Sequence, residues 1–216
     1  SRGHSGTALD LFAEGSAHLS VKPNREPQNP AGFEISRTRG ELAEDIGRFT
    51  AASTIAELAL RFAGEADNPQ LYETVADVLD RIALSAPERT IDDGLAGCWR
   101  IVSVLGFTPE LSNCALCHTP LRDADDATFS HTSGGIVCAS CSKLAPGTRR
   151  LPAAAREALG RWLEGDDSVH LPAADARSHQ RPLRAFLGAR LGDGPPLPPF
   201  AVGAPGGRRA PGSPAA

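Results

Sequence analysis

The chain has 216 residues, 41% of them hydrophobic, 5% aromatic and 22% charged, with a formal net charge of −4. That is enough for one large or two small packed domains, and no apolar run approaches the ~20 residues of a membrane-spanning helix. The start Ser1–Asp10 is polar and shows no signal peptide, so a soluble intracellular protein is expected; methionine is absent, from which an N-terminal portion is expected to be missing.

Residues 1–39 read as short strands and loops. Thr7–Phe12, Ala17–Val21 and Gly32–Arg37 are β-like runs, and Lys22–Ala31, with three prolines and two asparagines, is a loop. Three strands are too few for an independent core, so this segment is expected to be the back part of a small β domain. From Gly40 the period changes. Leu42, Ile46, Phe49, Ile55, Leu58 and Phe62 recur at helical steps, with Gly64 as the stop. The next helix starts with Asn68 as N-cap and Pro69 at its first position, and carries a stripe from Leu71 to Ile82. A third is expected from Thr90, with Asp93 completing a weak capping box. It runs through Cys98 and Trp99 to a stop at Gly106.

Two Cys-x-x-Cys pairs follow, Cys114/Cys117 and Cys138/Cys141, separated by 20 residues. This is the spacing of two knuckles that bring four thiolates to one tetrahedral zinc, with sulfur about 2.3 Å from the metal. Gly134 and Gly135 supply positive-φ freedom for the turn before the second knuckle. Phe129, on the intervening hairpin, is expected to pack against the metal cluster. Four thiolates leave no open position for water or substrate, so the zinc reads as structural. Redox-active dithiols are the alternative, and His118 or His131 replacing a cysteine is the weaker ligand set. A zinc deaminase is excluded, because no His-x-Glu occurs. Cys98 reads as a buried core thiol, and a free thiol beside a zinc set points to a reducing compartment. Beyond the knuckles, Pro152–Leu163 and Pro182–Leu191 read as helices, and from Asp193 the Gly/Pro/Ala-rich tail reads as disordered. The fold class is α+β, mostly helical.

Charge is unevenly spread. Residues 1–39 hold five basic and four acidic side chains, residues 40–113 five and thirteen, and residues 114–216 twelve and nine. Candidate phosphate contacts in the first segment are Arg2, Lys22, Arg25, Arg37 and Arg39; a second group is Lys143, Arg149, Arg150, Arg156 and Arg161; a third is Arg177, Arg181, Arg184 and Arg190. Basic side chains with so few aromatics would track phosphates rather than read bases. Scattered solvated charge is the plain alternative. The acidic middle would face away from nucleic acid. No Gly-rich phosphate loop, G-x-S-x-G or His-Glu zinc motif occurs, so no enzyme is expected.

Several motifs in this order resemble the RecO family of bacterial recombination mediators. They are Ser1-Arg2-Gly3 leading to Leu9-Asp10-Leu11-Phe12; Ala51-Ala52-Ser53-Thr54-Ile55-Ala56-Glu57-Leu58; Leu71-Tyr72; the run from Val102 through Leu105-Gly106-Phe107, Pro109 and Leu111 to Cys114 and Cys117; and Phe129, Gly134-Gly135, Cys138 and Cys141. The resemblance covers roughly residues 1–191. It implies the end of an OB-fold barrel over 1–39, a helical domain over 40–192 with the zinc finger inserted at 114–141, and a tail over 193–216. It also implies binding of single- and double-stranded DNA, strand annealing, and cooperation with RecR to help RecA replace the single-strand-binding protein, in the cytoplasm at the nucleoid. A zinc-stapled protein-interaction module without DNA contact is the competing reading, and a redox switch a third.

Overall fold

The computed structural model describes residues 11–19, 30–64, 67–122, 127–166, 168–169, 171 and 173–191. Two strands, β1 (Glu14–Leu19) and β2 (Pro30–Arg37), pair antiparallel, with Ala17 opposite Phe33. The first strand begins three residues before the expected Ala17. Of the run Thr7–Phe12, only Leu11 and Phe12 are described, and they lie in a turn with Phe12 at φ 65°. No closed barrel is formed among the described residues.

Four helices follow: α1 (Glu41–Glu44), α2 (Ile46–Phe62), α3 (Pro69–Leu84) and α4 (Thr90–Val104). The single helix expected from Gly40 to Gly64 is broken at Asp45, whose backbone is extended. Its carboxylate accepts the Arg48 N–H at 2.9 Å, capping α2. The apolar period runs across this break, which is why periodicity alone missed it. α3 starts as expected: Asn68 Oδ1 accepts the Leu71 N–H at 2.9 Å, and Pro69 opens the first turn. The capping box expected for α4 does not form. Thr90 already lies inside the helix, and the Asp93 carboxylate instead accepts the Ser85 hydroxyl at 2.6 Å. The stop at Gly106 holds. Gly106 takes φ 87°, its N–H reaches the Ser103 carbonyl at 2.9 Å, and the Phe107 N–H reaches the Val102 carbonyl at 3.0 Å. These two bonds satisfy carbonyls that the helix end would otherwise orphan.

A three-stranded antiparallel sheet of order β4-β3-β5 comes next, from β3 (Ala127–Ser130), β4 (Gly135–Val137) and β5 (Thr148–Leu151). No strand was expected at Thr148–Leu151. The chain ends in α5 (Ala153–Leu163) and α6 (Ala173–Leu191). α6 starts nine residues before the expected Pro182, which sits within it. An internal proline costs a helix about 3 kcal/mol; the burial of Ala176, Leu183, Phe186 and Leu187 offsets it. The expected disordered tail from Asp193 lies outside the described residues.

One apolar core joins helices and sheet. Its centre is α4, which packs against α2, α3, α5 and α6. Trp99 of α4, Phe129 of β3 and Phe186 of α6 form an aromatic cluster, with ring centroids 5.6–6.3 Å apart. Phe129, expected against the cysteines, thus packs on the helices and holds the sheet to them.

Candidate metal centre

The chain leaves α4 through its glycine stop and reaches the first cysteine pair along a loop fastened at both ends. Glu110 is the fastener. Its carboxylate accepts the Ser112 and Asn113 N–H groups at 2.8 and 2.9 Å, and these bonds hold its own pKa below the usual range, Asn113 contributing most. Its backbone pairs with β4: the Glu110 N–H meets the Gly134 carbonyl at 3.0 Å, and the Ile136 N–H meets the Glu110 carbonyl at 2.8 Å. This close approach requires the glycine pair. Gly134 takes φ 83°, but Gly135 does not need positive φ; a Cβ there would collide with the Glu110 carbonyl oxygen.

Each knuckle turns within hydrogen bonds of its own. In the first, the His118 N–H reaches the Cys114 carbonyl at 2.9 Å, and the Cys114 N–H reaches Thr119 at 2.9 Å. His118 holds φ 59°, a left-handed conformation that closes the turn at some cost for a residue other than glycine. In the second, the Ser142 N–H reaches the Cys138 carbonyl at 2.8 Å. The Ala115 N–H to Ile136 carbonyl bond, 2.8 Å, sets the two knuckles side by side.

The four sulfurs of Cys114, Cys117, Cys138 and Cys141 all lie within 4.8 Å of one another, and Cys117 Sγ is 3.7 Å from Cys138 Sγ. A tetrahedron with metal–sulfur bonds of about 2.3 Å has edges of about 3.8 Å, so the donor set fits one tetrahedral cation. Backbone N–H groups point at the sulfurs as thiolates require: Cys138 donates to Cys114 Sγ at 3.3 Å and Cys141 to Cys138 Sγ at 3.4 Å. Burial alone would raise the Cys114 thiol, but N–H groups of Cys117, Cys138 and Leu116 outweigh it and bring the group to about 6. The Thr119 hydroxyl and backbone lower Cys117. The sulfurs of Cys138 and Cys117 push Cys141 up to about 12. Negative charge is therefore concentrated here, and a divalent cation neutralises such charge. Neither His118 nor His131 belongs to the cluster. The His131 ring instead covers Gly147, where φ is 64° and any Cβ would strike the imidazole. Cys98, fully buried, has its thiol pushed up to about 12 by that burial.

The basic candidates divide. Arg149 and Arg150 are exposed on the edge strand β5, as is Lys143 near the second knuckle. Arg37 is half exposed and pairs with Asp80. Arg39 corrects the sequence-based expectation of a phosphate contact. It is only 4% exposed, and its guanidinium is committed to Asp80 at 2.7 Å, Glu14 at 2.8 Å and the Phe12 carbonyl at 3.0 Å, tying the β1–β2 ribbon to α3. Arg156 is corrected likewise. Also 4% exposed, it donates to the Leu111, Leu121 and Arg122 carbonyls and binds α5 to the loop that carries the first knuckle. Arg161 is held by Asp166 at 2.9 Å. Arg2, Lys22 and Arg25 lie outside the described residues. Glu110 and Arg156 are supports of the site that the cysteine spacing does not mark. Glu110, just upstream of a polar Ser-Asn step, was legible as a local cap, whereas nothing local marks Arg156, whose partners lie 34–45 residues away.

Comparison with known proteins bears on this geometry. Residues 43–197 match the family model described as recombination protein O C terminal. Proteins named DNA repair protein RecO are similar over part of their length. The one from Gloeobacter violaceus is 33% identical over 109 residues, covering 50% of this chain and 41% of the relative. That from Desulforudis audaxviator is 32% identical over 127 residues, covering 57% and 48%. That from Bifidobacterium adolescentis is 31% identical over 109 residues, covering 49% and 44%. The matched stretch is thus less than half of each relative.

Proposed function

The chain belongs to the recombination protein O (RecO) family, and on that premise we propose that it is a DNA-binding accessory protein of repair and recombination that holds strands together without cutting or altering them. The observation that carries the reading is the family match over residues 43–197, which contains the whole four-cysteine centre. In this reading the cation is zinc, held by Cys114, Cys117, Cys138 and Cys141. Bound there it supplies a cross-link between the two knuckles and, with four thiolates, no Lewis-acid position. The residues around it act on protein, not substrate. Glu110 and Arg156 fix the approach to the first pair, and Phe129 seats the hairpin on Trp99 and Phe186.

The domain reading belongs here too. Residues 1–39, including the β1–β2 ribbon, are the end of an OB-fold barrel; residues 40–192 are the zinc-bearing helical domain; residues 193–216 are a tail. DNA is tracked by Arg37, Arg149 and Arg150, together with Arg2, Lys22 and Arg25. Exposed cations on a sheet edge gain affinity by releasing counterions from phosphates. Annealing needs no catalytic residue: a basic surface screens the repulsion between two strands, and base pairing completes the work. RecR, the single-strand-binding protein and, indirectly, RecA are the proposed partners, at the nucleoid in the cytoplasm. No described helix is long and apolar enough to cross a membrane.

A second reading is a zinc-stapled protein-interaction module, for which an open cleft of about 540 Å³ along α3 and the start of α4, lined by Asp77, Asp80 and Asp93 together with Arg81, Arg89 and the exposed Leu84, offers a docking place. Salt-dependent binding of single-stranded DNA separates the two. The accessory-protein reading expects affinity to fall steeply with salt, and the Arg149→Ala/Arg150→Ala variant to bind more weakly on every sequence, with a salt slope lower by about one to two units. No binding by the intact protein even in dilute buffer leaves the interaction module.

A further inference from the structure

The four cysteines are chemically equivalent in sequence but not in place. Cys114 is fully buried, Cys138 and Cys141 are half-buried, and Cys117 is exposed at the knuckle tip beside Leu116, itself 47% exposed. The exposed sulfur also lies within reach of a sulfur of the opposite knuckle: Cys117 Sγ is 3.7 Å from Cys138 Sγ. Cys114, by contrast, is engaged on its inner side by the Cys138 N–H at 3.3 Å. An accessible cysteine sulfur with a second one beside it is the arrangement of a redox-responsive cysteine pair.

We propose that the cluster is a peroxide-responsive modification site in which Cys117 is oxidised first and captured by Cys138, forming a disulfide between the knuckles and releasing the cation. This rests on the zinc reading above. The Cys117 sulfur attacks one oxygen of hydrogen peroxide. The O–O bond breaks, hydroxide departs, and Cys117 carries a sulfenic acid. The Cys138 sulfur then attacks the Cys117 sulfur; the S–O bond breaks, and the oxygen leaves as water after taking up a proton. The two sulfurs have lost two electrons in total, peroxide has been reduced to two waters, and zinc has changed no oxidation state. With two of its four ligands in a disulfide, the cation is held by Cys114 and Cys141 alone and leaves. A thiol reductant reverses the step by exchange. Cys98 serves as an internal control, since its complete burial keeps it from peroxide.

The test uses the intact chain with its metal quantified beforehand. Hydrogen peroxide is added, release is followed with a chromogenic chelator, and disulfides are mapped by mass spectrometry after alkylation of free thiols. The expected result is one cation released per chain, a first disulfide joining Cys117 to Cys138, Cys98 still alkylated, and recovery of binding with dithiothreitol and zinc. In Cys117→His, which keeps a ligand but removes the exposed sulfur, release is expected to slow by at least about tenfold. A first disulfide within either Cys-x-x-Cys pair, or release from Cys117→His at the wild-type rate, overturns the proposal. Should the purified chain carry no metal, the zinc reading fails while the disulfide map of the reduced chain still decides which sulfurs react first. If Cys117→His does not load metal, the wild-type map decides.

Discussion

Arg39 and His179 show how far a side chain's surroundings outweigh its type. By type Arg39 is a surface cation; in place it is almost completely buried and meets the carboxylates of Asp80 and Glu14. Glu14 in turn accepts the Tyr72 hydroxyl at 2.7 Å, and this bond, ahead of the one from Arg39, holds its carboxyl below the ordinary range. His179 is the opposite case, a buried imidazole with no charged partner among the described residues, tilted against Trp162 at 4.9 Å. Burial lowers its pKa to about 4. The folded value lies below the unfolded one of about 6.5, so the unfolded chain binds more protons between the two. Stability from the neutral ring is therefore complete above pH ~6.5, declines as pH falls, and is gone near pH 4, a loss of roughly 3 kcal/mol. Urea denaturation from pH 7 to pH 4 is expected to show this slope, and His179→Leu to flatten it.

At the level of elements, α4 is held from several sides, and its composition reflects that. Gly97 lies where α4 meets α2 and α3, and a Cβ there would overlap Val78 Cγ1 and press on Ile55 Cδ1 at 3.2 Å. Alanine would favour the helix by at most about 1 kcal/mol, but overpacking costs about 1–3 kcal/mol, and β-branched Val78 has little rotamer freedom to yield. Gly97→Ala is expected to lower the midpoint of thermal unfolding, and Val78→Ala in the same chain to restore part of it. A rise in the midpoint on Gly97→Ala alone would mean that α3 and α4 are farther apart than described. The edge strand β5 behaves differently. Arg149 and Arg150 sit where an unprotected edge would invite pairing with another chain, so the charge that tracks DNA in the proposed function also discourages aggregation.

For the molecule as a whole, the hairpin between the cysteine pairs and the helices share one core. Phe129 stands in the hairpin between the cysteine pairs, yet its ring lies 6.3 Å from Trp99 and 6.0 Å from Phe186. Arg156 adds a polar tie from α5 to the knuckle loop. Structural zinc contributes on the order of 10–16 kcal/mol to units that fold around it. With zinc bound as proposed, its removal is therefore expected to loosen the aromatic cluster as well as the hairpin. Stripping the metal with a chelator, or Cys138→Ser, is expected to lower the midpoint of the main unfolding transition and to change the tryptophan signal of near-ultraviolet circular dichroism. A midpoint and tryptophan signal unaltered by metal loss would make the hairpin an independent appendage.

Local chemistry by itself determined the knuckles, the start of α3 at Asn68-Pro69, the end of α4 at Gly106 and the class of Cys98, because each depends on residues a few positions apart. The family was legible for the same reason, its motifs being short and ordered. The tertiary structure alone decided the passage of α6 through Pro182, the inward turn of Arg39 and Arg156, and the pairing of Phe129 with Trp99 and Phe186. Those outcomes come from burial and from partners tens of residues away, and neither a hydrophobic period nor a charge count records which distant carboxylate, carbonyl or ring a side chain will meet.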